Sequence, residues 1–71
     1  MQILIFKTNI SDTIQLEKIK PVLNEVPSIL RWTIDQDDCD KVLRIEANNL
    51  NCTEIINKII QNGFFCEELR D

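Results

Sequence analysis

The side chains best suited to chemistry in this sequence are three cysteines, Cys39, Cys52 and Cys66, together with a number of carboxylates. The chain has no histidine, so the commonest general base and the commonest metal ligand are both missing. No two cysteines have the spacing of a zinc site or a thioredoxin-like site. We therefore interpret them as reduced thiols that partly fill core positions, because free cysteine is among the most buried residue types. A soft-metal site remains the alternative if Cys66 converges with Cys39 or Cys52.

The overall charge and the lack of long apolar runs exclude several classes of function. Twelve acidic and eight basic side chains leave a net charge of −4, whereas binding to nucleic acid needs clustered Lys and Arg. No run approaches the roughly 20 apolar residues of a membrane span, and the first residues have the pattern of a strand rather than of a signal peptide. We expect no nucleic acid and no membrane among the partners, and a cytoplasmic location. Nothing resembles a nucleophile–base pair or a phosphate-binding loop, so we expect no catalytic residues and no enzymatic activity.

The turn between the first strand and the first helix, residues 6–15, is a second place where polar side chains are concentrated. Asp12 stands before the first helical turn, and its carboxylate can accept a hydrogen bond from the backbone N–H of Gln15. The Gln15 side chain can reach back in return, which makes an aspartate version of the capping box. The sequence therefore predicts a helix that begins immediately after Asp12.

Hydrophobic periodicity predicts the elements that hold this turn in place. The β-branched and aromatic run over residues 2–8 predicts the first strand. The helix after Asp12 should end before Pro27, and Pro21 inside it predicts a kink or a short break. Its apolar stripe is Leu16, Ile19, Leu23 and Val26, with Val22 beside it.

The second half of the chain repeats the alternation of strands and a helix. Its elements are a strand over 29–35, a polar connector over 35–40, a strand over 41–47, a helix opened by Asn51 and stopped by Gly63, and a strand over 64–69. Period-two alternation places Leu30, Trp32 and Ile34 on one face of the second strand.

The resulting order, β-α-β-β-α-β, predicts an α+β fold of the ferredoxin-like type, with residues 1–71 forming one domain. Right-handed crossovers would put both helices on one face of a four-stranded antiparallel sheet and leave the other face open. If Leu4, Phe6, Leu43 and Ile45 face the helices, the open face carries Ile3, Ile5 and Val42, with Phe65 joining them. A contiguous apolar strip of this kind marks a partner surface, whereas scattered single apolar residues are normal for any protein.

The chain resembles the heavy-metal-associated domains, a family of small copper-chaperone-like modules. The residues that carry the resemblance are Phe6, Lys7, Thr8, Asn9 and Ile10, then Pro21, Val22 and Leu23, then Trp32, Thr33, Ile34 and Asp35, then Lys41, Val42 and Leu43, and finally Asn62, Gly63 and Phe64. They are spread over nearly the whole chain, and each piece alone is weakly specific. The resemblance implies a metal-chaperone-like domain.

In that family, function rests on a Cys-x-x-Cys pair in the loop after strand one, with an apolar residue two positions before the first cysteine. Two thiolates at that spacing can converge on one soft ion such as Cu(I). The matching positions in this sequence are Ile10 for the apolar residue, and Asp12 and Gln15 for the cysteines. The resemblance therefore implies a degenerate member without the paired metal-binding cysteines.

From this resemblance we expect no cofactor, no confident metal ligand and a role as a protein-interaction module. The partner would be another protein or a second copy of the chain, bound through the open sheet face. The alternative is a heavy-metal binding or transport protein that holds Cu or Zn weakly through non-standard ligands, such as Asp12 or the remaining cysteines.

Overall fold

A computed structural model of the chain describes residues 1–35, 37 and 39–69, so positions 36 and 38 of the predicted connector lie outside the described residues. The elements are β1 (Gln2–Thr8), α1 (Thr13–Asn24), β2 (Ile29–Asp35), β3 (Val42–Ala47), α2 (Cys52–Gln61) and β4 (Cys66–Glu68). This order confirms the predicted ferredoxin-like βαββαβ arrangement. The strands form one antiparallel sheet in the order β2-β3-β1-β4, in which β1 pairs with both β3 and β4.

One face of the sheet packs against the two helices and forms the core. Buried side chains alternate along β1 and β3, which settles which face of β1 meets the core. The buried residues of these strands are Leu4, Phe6, Thr8, Leu43, Ile45 and Ala47, and those of the helices are Ile19, Leu23, Ile55 and Ile59. Burial of this apolar surface drives folding, and a chain this short has little surplus of it.

The opposite face of the sheet is not covered by any element that the structure describes, and we call it the open face. Because side chains point to alternate sides of a strand, the open face carries every second residue of each strand. On the three long strands these residues are Ile3, Ile5, Lys7, Arg31, Thr33, Asp35, Val42, Arg44 and Glu46.

β2 departs from the predicted alternation near its start. Its pairing with β3 is irregular between Ile29 and Arg31, so Leu30 is an extra residue in a β-bulge. Leu30 is 58% exposed, whereas Ile29, Trp32 and Ile34 pack against the core. The prediction that Leu30 shares the inner face with Trp32 and Ile34 was wrong, because the bulge interrupts the alternation of side chains for one residue.

α1 continues through Pro21 without the predicted break. Proline removes one backbone donor, in this case the partner of the Glu17 carbonyl four residues earlier. Glu17 and Pro21 are both exposed, so water can bond to that carbonyl and the helix can continue. The helix ends at Asn24, before Pro27, as predicted, and Val26 lies beyond it but remains buried.

β3 and β4 are both shorter than predicted. Lys41 lies outside β3, and its φ of 45° is in the left-handed region. β4 comprises Cys66–Glu68 rather than 64–69. Phe64 instead belongs to the turn that ends α2, where its backbone N–H donates to the carbonyl of Ile59 at 3.2 Å.

The turn after α2 is built around Gly63, which has a φ of 88°. The N–H of Gly63 donates to the carbonyl of Ile60 at 2.9 Å. The hydrogen bond from the N–H of Phe64 to the carbonyl of Ile59 encloses this first bond. These two bonds form a Schellman motif, which closes the helix end by means of a residue in the left-handed conformation. The predicted stop at Gly63 is confirmed.

Replacing Gly63 with alanine should destabilise the protein by about 1 kcal/mol, because a Cβ is disfavoured in the left-handed region. Apart from Gly63 and its two chain neighbours, no described residue has an atom within 4 Å of the position that the Cβ would occupy, so backbone conformation determines the loss. Urea denaturation measures it. Gly63→Asn is the matched control and should lose less, since asparagine tolerates this conformation. Equal stability of Gly63→Ala and the parent would contradict this assignment.

Candidate functional site

The turn between β1 and α1 is anchored to the core at its start. Ile10 is fully buried, and its backbone N–H donates to Oγ1 of Thr8 at 3.3 Å. The Thr8 hydroxyl in turn donates to the carbonyl of Lys41 at 2.6 Å, while the Thr8 N–H donates to the carbonyl of Asp40 at 3.1 Å. These bonds tie the turn to the segment that enters β3, so the position of the turn is set by residues more than 30 positions away in sequence.

The polar side chains of the turn form a helix cap. Oδ1 of Asp12 accepts a hydrogen bond from the backbone N–H of Gln15 at 2.8 Å. Oε1 of Gln15 accepts from the backbone N–H of Ser11 at 2.7 Å and from the Ser11 hydroxyl at 3.1 Å. The predicted capping box is therefore confirmed in its main part, with the difference that Gln15 reaches Ser11 rather than Asp12.

The donor set of this turn does not fit a soft metal ion. Asp12 and Gln15, the two positions at which the sequence resemblance led us to expect the loss of a cysteine pair, offer one carboxylate and one amide oxygen, which are hard ligands. The oxygen atoms Asp12 Oδ1 and Gln15 Oε1 already accept backbone hydrogen bonds at the start of α1. What this turn does chemically is satisfy the free N–H groups of a helix N-terminus.

Two of the three cysteines belong to elements that contact one another, α2 and β4. Cys52 is the first residue of α2, and its thiol donates to Oε2 of Glu68 at 3.1 Å. Cys66 stands two residues before Glu68, so both point to the same side of β4, and Cys66 is only 5% exposed. Burial, with a smaller contribution from the Cys52 thiol, raises the pKa of Cys66 to about 12.

Cys39 lies apart from this pair. It is exposed in the turn between β2 and β3, and its thiol is 3.9 Å from Oδ1 of Asp40. Within the described part of the chain, no group of three or more Cys, Asp or Glu side chains is arranged to hold a metal ion. Of the three thiols, those of Cys52 and Cys66 are the two that stand on contacting elements.

The apolar residues predicted for a partner surface are accessible, and charged residues are interleaved with them. Ile3 and Phe65 are 42% and 45% exposed, and Ile5 and Val42 are half-buried. On the open face, Glu46 lies opposite Ile3 and Arg44 lies opposite Ile5.

Sequence reasoning missed two features of these sites. One is the position of Arg44. Alternation along β3 puts Arg44 on the sheet face opposite to that of Leu43, but its place beside Ile5 depends on strand register, which the sequence does not show. The contact between Cys52 and Glu68 was missed as well, because it joins two elements that are 16 residues apart.

Comparison with solved structures finds the same fold in other proteins. The yeast copper transporter domain Ccc2a, solved in the apo and Cu(I)-loaded states, superposes with a TM-score of 0.84 at 19% identity, covering 100% of this chain and 99% of that one. A chain from a study of crosstalk between Cu(I) and Zn(II) homeostasis superposes with a TM-score of 0.81 at 10% identity, covering 97% and 100%. The fold is shared with copper-handling domains. No protein-family model matches the sequence, and comparison with curated proteins finds no match either.

The comparison with solved structures corrects one expectation from the sequence. The expectation of no cofactor was wrong, because both structures with this fold concern Cu(I) or Zn(II) handling. That expectation rested on the missing loop cysteines, and it had kept weak binding of Cu or Zn by other ligands as its alternative. Among the described residues, no helix is long and apolar enough to cross a membrane.

Removal of the Asp12 carboxylate should lower the free energy of unfolding by about 1 kcal/mol, because the N–H of Gln15 loses its acceptor. Asp12→Ala is the test variant, and Asp12→Asn is the matched control, since asparagine caps helices about as well as aspartate. Chemical denaturation measures both. A stability of Asp12→Ala equal to that of the parent would show that the cap contributes nothing.

The buried Cys66 thiol should make the protein less stable at alkaline pH. Between pH 9.0, the ordinary pKa, and about 12, the unfolded chain releases the thiol proton while the folded chain keeps it, so stability falls as pH rises. From pH 9 to about 10.5 the loss is roughly 1–2 kcal/mol. Denaturation at several pH values should show a smaller alkaline loss for Cys66→Ala, and an unchanged one for the exposed-site control Cys39→Ala. Parallel profiles for Cys66→Ala and the parent would refute the assignment.

Proposed function

We propose that this chain is a metal-chaperone-like domain that takes part in Cu(I) or Zn(II) handling and acts through contact with a partner protein. The observation that carries the proposal is the superposition on a copper transporter domain over essentially the full length of both chains. At 19% identity this likeness demonstrates the fold alone, and the function is our inference from it. We further infer that residues 1–71 act as one domain, in the cytoplasm, and without enzymatic activity.

The loop after β1 is, in this proposal, a degenerate form of the family's metal loop. Ile10 keeps the buried apolar position, and Asp12 and Gln15 occupy the places of the two cysteines. The cap that these two residues form supports this interpretation, because it completes the turn by means of hydrogen bonds within the chain.

Partner contact would use the open face. The apolar residues Ile3, Ile5 and Val42, together with Phe65 immediately before β4, are the side chains that a partner could bury there. Exposed apolar side chains on an uncovered sheet support such a role, since burying them on association is favourable.

A second candidate function, metal binding by ligands outside the loop, is favoured by one specific observation. Cys52 and Cys66 belong to the contacting elements α2 and β4, and the Glu68 carboxylate, two residues after Cys66 on the same side of β4, lies 3.1 Å from the Cys52 thiol. Two thiolates suffice for Cu(I), which prefers soft ligands. Because the pKa of Cys66 is raised to about 12, the ion must displace a firmly held proton, and binding should strengthen as pH rises.

Titration with Cu(I) under anaerobic, reducing conditions, in competition with a chromophoric chelator, tests the metal part of this proposal. We expect the parent and Cys39→Ser to bind one equivalent, and the double variant Cys52→Ser/Cys66→Ser to lose binding, since it lacks these two thiols. Zn(II) is titrated in parallel.

A variant with restored loop cysteines, Asp12→Cys/Gln15→Cys, provides the positive control. It should acquire a Cu(I) site tighter than that of the parent, because the two thiols then stand at the family spacing. Failure of the parent to compete for either metal would refute metal binding by Cys52 and Cys66. Failure of the double-cysteine variant would refute the equivalence of this loop with the metal loop.

A further inference from the structure

We propose that the partner bound by the open face presents an acidic side chain flanked by apolar ones, and that Arg44 is the residue that receives the carboxylate. This inference rests on the proposed docking role of the open face, and it adds the chemistry of the partner. It is carried by the position of Arg44 in the sheet and by the pairing of the cations around it.

Arg44 lies at the middle of the open face. It is on β3, one of the two inner strands, opposite Ile5 of β1 on one side and Thr33 of β2 on the other. Along β3 its neighbours on the same face are Val42 and Glu46. A partner that covers this face must therefore bury Arg44.

The other two cations of the open face already have partners. Lys7 Nζ lies 3.5 Å from Oδ1 of Asp40, and Arg31 Nε lies 3.9 Å from Oε2 of Glu46. Arg44 is exposed and makes no ion pair with any residue that the structure describes. In a chain with a net charge of −4, this leaves an unneutralised guanidinium in the middle of the face.

The surroundings of Arg44 determine what can satisfy it. A guanidinium offers five N–H donors in a planar fork, and a carboxylate accepts two of them at once. On β1, Ile5 lies opposite Arg44 and Ile3 lies diagonally across from it. On β3, Val42 lies two residues before Arg44 on the same face. Once apolar partner groups cover these side chains, water is excluded and the charge-assisted bond strengthens, which is the usual setting of an arginine hot spot.

A second copy of the chain is the less favourable occupant. Symmetric packing of two open faces about a two-fold axis near their centres would bring the two Arg44 guanidinium groups together. Like charges that meet at an interface oppose association. The central position of Arg44 therefore favours a different chain that supplies the carboxylate.

Selection from a random peptide display library against the immobilised parent protein tests the inference. We expect the selected peptides to carry Asp or Glu between apolar residues. Synthetic copies should bind the parent and lose at least about tenfold in affinity on Arg44→Ala or Arg44→Glu, since a charge-assisted hydrogen bond is removed. Lys18→Glu, at an exposed position on α1, makes the same change in net charge as Arg44→Glu and should leave the affinity unchanged.

Amide chemical shifts of the labelled protein locate each peptide, and a denaturation curve verifies that each variant is folded. Peptides that bind the open face equally well with and without Arg44 would overturn the acidic partner while leaving the docking role intact. Selected peptides that bind elsewhere, or a selection that yields none, would overturn both. A parent protein that dimerises through the open face by light scattering would overturn the inference in favour of a second copy.

Discussion

The whole structure depends on burying one face of β1 against the two helices. β1 is an inner strand, paired with β3 on one side and β4 on the other, and Leu4 and Phe6 from it lie in the core. A chain of 71 residues buries only about 60% of the surface that its unfolded form exposes, so little of this contact can be given up. The same constraint leaves the opposite sheet face without cover, because both helices are needed on one side.

The turn after β1 follows from this constraint. Burial of Ile10 and the bonds between Thr8 and Lys41 fix the point from which the chain enters α1. The first N–H groups of any helix lack intrahelical partners and must be satisfied by something else. In this chain, the Asp12 side chain accepts a hydrogen bond from the backbone N–H of Gln15, and the Gln15 side chain accepts one from the backbone N–H of Ser11, just before the helix. A turn that is closed in this way is held in place by hydrogen bonds within the chain.

The two candidate functions therefore occupy different parts of the molecule. The proposed metal binding would use the contact between α2 and β4, where Cys52 and Cys66 lie on the covered side of the sheet, and the proposed partner contact would use the open face on the other side. The sheet separates the two. A protein docked on the open face would not touch the contact between α2 and β4, so the two proposed functions are compatible in one domain.

Features that depend on local patterns were predictable from the sequence, and those that depend on register were not. The element order, the Asp12 cap and the Gly63 stop each follow from residues within a few positions of one another, because periodicity, caps and turns are local. Which face of β1 meets the core was left open by the sequence, because both faces are apolar, and the burial pattern settles it. The bulge at Leu30 was not predictable, since it is defined only by the pairing of β2 with β3. The expectation of no cofactor was wrong, because it gave most weight to the loop after β1; whether the remaining thiols converge depends on contacts between elements that are far apart in sequence.

The sequence by itself determined the element order, which gives the fold class, and the hydrogen-bonded turn that Asp12 and Gln15 form, since both follow from patterns within short segments. Only the tertiary structure decided which thiols stand on contacting elements and which cation of the open face makes no ion pair with a described residue. Cys52 meets Glu68 because α2 crosses over β4, and Arg44 stands between Ile5 and Thr33 because antiparallel register aligns residues that are far apart in sequence. Such contacts join segments that are far apart in sequence, and the sequence alone does not show that they are close in space.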